Sequence, residues 1–129
     1  MLESKDHRLT CLNFDFCYIQ PSELSMLCRS LQINRTLIKL NLSNNGFPNA
    51  SGIMLCEVLK VRSPLTQNNV TLVDLNLSKN SLGDLFASAL AKALETNNTV
   101  MVVDISSNLI ETSGAACLIQ CLTETNDTL

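Results

Sequence analysis

Four copies of one phrase run through the chain. Leu9-x-x-Leu12-x-Phe14-x-x-Cys17-x-Ile19 returns as Leu37-x-x-Leu40-x-Leu42-x-x-Asn45-x-Phe47, then as Leu72-x-x-Leu75-x-Leu77-x-x-Asn80-x-Leu82, then as Val100-x-x-Val103-x-Ile105-x-x-Asn108-x-Ile110. Successive starts lie 28, 35 and 28 residues apart. A fixed period of this length predicts a stacked array, in which each unit buries its apolar face against its neighbours.

The internal pattern of a unit predicts its parts. Leu75 and Leu77 alternate with Asn76 and Ser78, the period-two signature of a short strand with one buried face. Asn80 follows where the chain must turn, and an amide side chain can donate and accept at once. Asn45, Asn80 and Asn108 are therefore expected to stack as a ladder. Cys17 takes that place in the first unit with a much weaker donor. Beyond the turn, Leu85, Phe86, Ala89, Leu90, Ala93 and Leu94 recur at helical steps, with Asp84 near the helix start. Leu27 and Leu31, Leu55 and Leu59, Leu90 and Leu94, and Leu118 and Leu122 fall at one offset in every unit and predict the helices' buried stripe. Gly52, Ala87, Gly114 and Ala115 are expected to let the helices approach the strand layer. Each helix then exits through a polar turn, where Asn34, Asn97 and Asn126 suit left-handed backbone. Strand, turn, helix and turn in repetition give a parallel sheet on the inside and helices outside. Helices are bulkier than strands, so the stack is expected to curve with the sheet concave.

Composition narrows the function. Hydrophobic residues make up 46% of the 129, enough for one domain's core, and aromatic residues only 4%. Nine basic residues against 12 acidic ones give a net charge of −3 with no basic stripe, which argues against nucleic acid. No apolar run is long enough to insert in a membrane, and the charged stretch up to Arg8 does not read as a signal peptide. The six cysteines are scattered over predicted helices and strands and read as small apolar residues, which suits a reducing, cytoplasmic setting. Cys117 and Cys121 have a helical spacing that a metal could use, but the only histidine, His7, is remote. Repeated Asn-x-Ser/Thr triplets, such as those at Asn41 and Asn76, are explained by the repeat itself.

No catalytic constellation emerges. The four glycines, Gly46, Gly52, Gly83 and Gly114, are isolated, so no phosphate-cradling loop forms. Asp74 and Asp104 face outward at different offsets and can meet only diagonally. The chain therefore reads as having no enzyme chemistry, no metal and no cofactor. Its outward strand columns run Cys11, Lys39, Asp74, Val102; Asn13, Asn41, Asn76, Asp104; and Asp15, Ser43, Ser78, Ser106. Phe16, Asn44, Lys79 and Ser107 adjoin them in the turn. The candidate protein-binding residues on this concave face are Lys39, Asn41, Ser43, Asp74, Asn76, Ser78, Lys79, Asp104 and Ser106. The face carries no Trp or Tyr, the usual anchors of tight interfaces.

The four phrases, the helical leucine pairs and the segment Asn80-Ser81-Leu82-Gly83-Asp84 resemble the ribonuclease-inhibitor-like class of leucine-rich repeats, from Leu9 to Leu129. That resemblance implies an α/β solenoid that binds another protein. An alternative is a structural block in a cytoskeletal, ciliary or immune-sensor assembly. Two departures stand out. The second unit is longer by seven residues around residues 61–67, where Pro64 predicts a helix end and an exposed loop. A fifth unit would begin at Leu129, so residues 1–129 are expected to be a fragment of a longer array, or to pack against another chain through an open C-terminal repeat.

Overall fold

In a computed structural model that describes residues 9–60 and 71–124, the strands and helices alternate four times. The order is β1 (Cys11–Asn13), α1 (Pro21–Ile33), β2 (Lys39–Asn41), α2 (Asn49–Leu59), β3 (Asp74–Asn76), α3 (Asp84–Thr96), β4 (Val102–Asp104) and α4 (Thr112–Glu124). The strands form one parallel sheet in sequence order. Cys11, Lys39, Asp74 and Val102 share one register row, and Asn13, Asn41, Asn76 and Asp104 another. The expected columns are thus the observed ones. His7, the longer stretch at 61–67, the side chain of Leu122 and the fifth unit at Leu129 lie outside the described residues.

Between the layers runs a continuous apolar core. Leu40, Leu42, Leu75, Leu77, Leu82, Leu55, Leu59, Leu90 and Leu94 are buried in the two middle units. Their equivalents in the outer units, Leu12, Phe14, Ile19 and Leu27 at one end and Val103, Ile105, Ile110 and Leu118 at the other, are only half-buried. These positions need a neighbour on both sides for full cover, as in a one-dimensional stack, whereas Leu31 and Val100 of the outer units are buried all the same. Leu85 departs from the expected stripe. It is exposed, because one helical step from the buried Phe86 turns it to solvent.

The asparagine ladder forms as expected. Asn80 Nδ2 donates to the carbonyls of Leu42, Leu77 and Ser78 at 3.1, 3.0 and 3.2 Å. Its Oδ1 accepts from the amides of Asn45 and Phe47, both at 3.0 Å, in the preceding unit. Asn45 repeats the arrangement toward Phe14, Leu42, Cys17 and Ile19, and Asn108 toward Leu77, Ile105 and Leu82. Cys17 manages a single weak side-chain bond, its thiol 3.5 Å from Asp15 O. The residue before each ladder position adopts left-handed backbone: Phe16, Asn44, Lys79 and Ser107 have φ of 56°, 57°, 57° and 55°.

Two local expectations are corrected. Asn34 and Asn97 leave their helices in extended rather than left-handed backbone, with φ of −65° and −86°. They work through their buried side chains. Asn34 Oδ1 accepts from Leu37 N at 2.7 Å, and Asn97 Oδ1 from Val100 N at 2.9 Å, so each sews the exit turn to the next unit's first core residue. Second, the small helical residues bring helix to helix, not helix to strand. A Cβ on Gly52 would overlap the Phe86 ring and lie 2.6 Å from a Leu82 methyl, and one on Gly114 would meet Asp84 and Ala87 of α3. Asp84 stands at the start of α3 as expected, and it caps the following helix. Its Oδ1 accepts from Glu111 N at 2.7 Å and its Oδ2 from Ser113 Oγ at 2.6 Å. Asn49 does the same one unit earlier, accepting from Gly83 N at 2.8 Å and Phe86 N at 3.0 Å. The first residue of one helix thus satisfies orphan amides at the start of the next. Pro21 occupies the equivalent place in α1 and has no such group; α1 itself starts on Pro21 with Glu23 accepting from Gln20 N at 2.9 Å.

Candidate protein-interaction face

The outward side of the sheet is where chemistry is displayed in register. Lys39 lies beside Asp74, and Asp74 beside Val102, in one row; Asn41, Asn76 and Asp104 form the next. Asp74 and Asp104 are accordingly diagonal, as their offsets predict, and sit in different rows.

The nine candidate residues divide into two groups. Asn41, Asn76 and Asp104 are engaged locally: their Oδ1 atoms accept from the amides of Ser43, Ser78 and Ser106 at 3.0, 2.9 and 3.0 Å. Each shapes the turn that follows its own strand, the familiar local chemistry of Asx side chains. Ser43 and Ser78 are 5% and 6% exposed, tucked beneath the turn, whereas Ser106 of the last unit is exposed and its hydroxyl donates to Asp104 Oδ1 at 2.7 Å. Lys39 and Lys79 are exposed and Asp74 is half-buried. These three charged side chains are the ones on the face not used to hold turns, and they carry its mixed sign.

Two carboxylates are tuned by the same turns. Hydrogen bonds from the Ser106 side chain and backbone hold Asp104 below the usual carboxylate value, with a lesser contribution from the Lys79 charge. Asn44 and then Ser43 do the same for Asp15, and Lys79 contributes least. Asn44 Nδ2 donates to Asp15 Oδ1 at 2.9 Å and Ser43 Oγ at 2.8 Å. Both carboxylates stay ionised at neutral pH.

Sequence reasoning placed Phe16 in the turn adjoining this face but passed over Tyr18. Phe16 and Tyr18, 58% and 69% exposed, pair edge to face with centroids 5.2 Å apart in the turn after β1. Aligning the four units would have exposed the signal, because Tyr18 occupies the place of Gly46. The cysteines also divide. Cys28, Cys56 and Cys121 are buried, while Cys11 and Cys17 are exposed at the first unit. Burial pushes the Cys28 thiol up to about 11, and burial with the Glu57 charge pushes Cys56 up to about 12. Among the described residues no helix is long and apolar enough to cross a membrane.

The comparisons with known proteins fit this geometry. A family model described as Leucine Rich repeat matches residues 34–56, 68–91 and 96–118. The chain is 30% identical over 128 residues to mouse (Mus musculus) NACHT, LRR and PYD domains-containing protein 14, covering 99% of this chain and 12% of that relative's length. Among solved structures, leiomodin-1 actin-binding site 2 superposes with a TM-score of 0.82 at 22% identity, over 93% of this chain and 66% of that one. The Caenorhabditis elegans tropomodulin C-terminal domain superposes with a TM-score of 0.58 at 15% identity, over 96% and 88%. At these identities the two structures speak to the fold.

Proposed function

The chain belongs to the leucine-rich-repeat family, and on that footing we propose that it is a non-catalytic module that binds another protein across its sheet face. The observation that carries this reading is the display of Lys39 and Asp74 in one register row, with Lys79 exposed in the turn after β3, charged groups that no turn consumes, on a sheet whose other side is core. The fold likeness to an actin-binding site of leiomodin-1 supports it and makes monomeric actin the first partner to titrate. All six cysteines are unpaired, which suits an intracellular setting.

The test uses a charge-reversed pair, Lys39→Glu with Asp74→Lys. These side chains shape no turn, so the melting temperature should hold. Affinity for a bound partner should fall about tenfold if both charges face it, since mismatched charges cost several times what exposed pairs gain. Unchanged affinity would remove the sheet face from the reading. Lack of binding to actin would reassign the partner and leave the face to be tested against others.

A second reading has its own observation. The half-buried columns of the last unit open into an apolar cavity of about 390 Å³ lined by Leu90, Leu94, Met101, Val102, Val103, Ile105 and Leu118. We infer that this end packs against further structure in a larger assembly, a continuation of the array included. Sedimentation across a wide concentration range separates the readings for the isolated chain, because a persistent monomer argues against self-packing through that end.

A further inference from the structure

We propose that Phe16 and Tyr18, together with the Asp15 carboxylate, form an anchor for a cationic side chain, an arginine above all, presented by a protein partner. The inference rests on the reading of the chain as an interaction module and adds the chemistry of what it grips. It lies on the turn after β1, outside the register row of Lys39 and Asp74 but within reach of the Lys79 charge.

Backbone geometry supplies the first observation. Tyr18 has φ of 53°, and the equivalent residue in the second unit is Gly46 with φ of 70°. Left-handed backbone is costly for a residue with a bulky side chain and nearly free for glycine. Ser81 and Leu109 at the same place in the third and fourth units keep negative φ. The first unit therefore holds a large ring where glycine would be the relaxed choice. The ring does not repay this through packing: it is 69% exposed, and its aromatic contact is the equally open Phe16. Backbone strain held without a folding return is a mark of a functional position.

Charge supplies the second. Asp15 immediately precedes Phe16, and Ser43 and Asn44 both donate to its Oδ1, which holds the carboxylate in place in the same turn. Both bonds fall on Oδ1, and the Lys79 charge already reaches this carboxylate without a hydrogen bond to it. Aromatic faces attract cations, arginine most often, and a carboxylate at the same spot favours the same guest. The net charge of −3 repels an acidic partner and draws a basic one.

The test exploits composition. Tyr18 is the single tyrosine in a chain without tryptophan, so intrinsic emission reports on it alone. A blocked hexa-arginine peptide and its hexa-citrulline counterpart, equal in shape but uncharged, are titrated into the whole chain, with labelled-peptide anisotropy giving the affinities. Saturable change of Tyr18 emission is expected with arginine and none with citrulline. Asp15→Asn, which keeps an acceptor for Ser43 and Asn44, should weaken binding about threefold. Phe16→Ala with Tyr18→Gly should weaken it about tenfold. Tyr18→Gly alone should melt no lower than the parent, which a ring needed for folding would not allow. Equal response to both peptides, no saturable response, or affinity retained in the double variant overturns the anchor. Because these readouts ignore Lys39 and Asp74, failure of the sheet-face reading would leave them interpretable.

Discussion

Replacing Asn80 by alanine should be far more damaging than replacing Asn45, although both belong to one ladder and make similar numbers of bonds. The reason lies in what each leaves behind. The three carbonyls served by Asn80 Nδ2 keep other donors: Leu42 O retains Asn45 Nδ2 at 3.1 Å, Leu77 O retains Asn108 Nδ2 at 3.0 Å, and Ser78 O retains Asn44 N at 3.2 Å. The amides of Asn45 and Phe47 lose their only side-chain acceptor, Asn80 Oδ1. Phe47 is in the core and Asn80 itself is 8% exposed, so water reaches this site poorly. Leaving a buried donor unmade costs about 1–3 kcal/mol, so two give about 2–6 kcal/mol. Asn45 Oδ1 instead serves Cys17 and Ile19 in the half-open first unit, where water can take over. Its loss should cost about 1 kcal/mol, the net value of a solvent-replaceable bond. Urea unfolding followed by circular dichroism, extrapolated linearly, measures both, and a marked fall in the slope for Asn80→Ala would signal that the array has split into separately melting halves. A cost for Asn45→Ala equal to or above that of Asn80→Ala would refute the argument.

Gly52→Ala should destabilise by about 1–3 kcal/mol through overpacking against Phe86 and Leu82, whereas Gly46→Ala meets nothing within 4 Å and should cost about 1 kcal/mol from its positive φ alone; thermal melts of both variants check this. Asp84 is held below its ordinary 3.8 by Ser113 first and the Glu111 amide second. Its contribution is therefore complete above that value and is lost as pH falls through the depressed folded one. The stability gap between the parent and Asp84→Ala should be open at pH 6 and close toward pH 2, and a gap independent of pH in urea melts would contradict it. Iodoacetamide at pH 8 should label the exposed Cys11 and Cys17 well before the buried Cys28 and Cys56, whose thiols are pushed up to about 11 and about 12, with peptide mass mapping as the readout.

Periodicity made the repeat legible to the level of single register rows. Aligning Lys39 with Asp74 and Asn41 with Asn76 needed only the spacing of the leucines, because equivalent positions in a stack are neighbours by construction. Asn45, Asn80 and Asn108 were legible for the same reason. What spacing does not reveal is which neighbour a side chain serves. Spacing puts Asp84 near the start of its own helix, and only its bonds to Glu111 and Ser113 show that it caps the next. Gly52 marks close approach, but to Phe86 of the adjoining helix rather than to the sheet. Asn34 and Asn97 suggested a backbone preference, while their side chains do the joining. On the candidate face, charge and exposure were readable for Lys39 and Lys79. The prior engagement of Asn41, Asn76 and Asp104 in their own turns was not, since an Asx residue reads alike whether it faces a partner or its own chain.

The helix-to-helix capping by Asn49 and Asp84 gives the stack a polarity that its sequence repetition conceals. Units cannot be exchanged or excised freely. Removing the second unit would seat α3 against Pro21, whose ring has no oxygen to offer the amides of Gly83 and Phe86. An engineer shortening or shuffling this solenoid would have to carry the acceptor along with the helix that depends on it, reading the junctions one unit ahead of the cut.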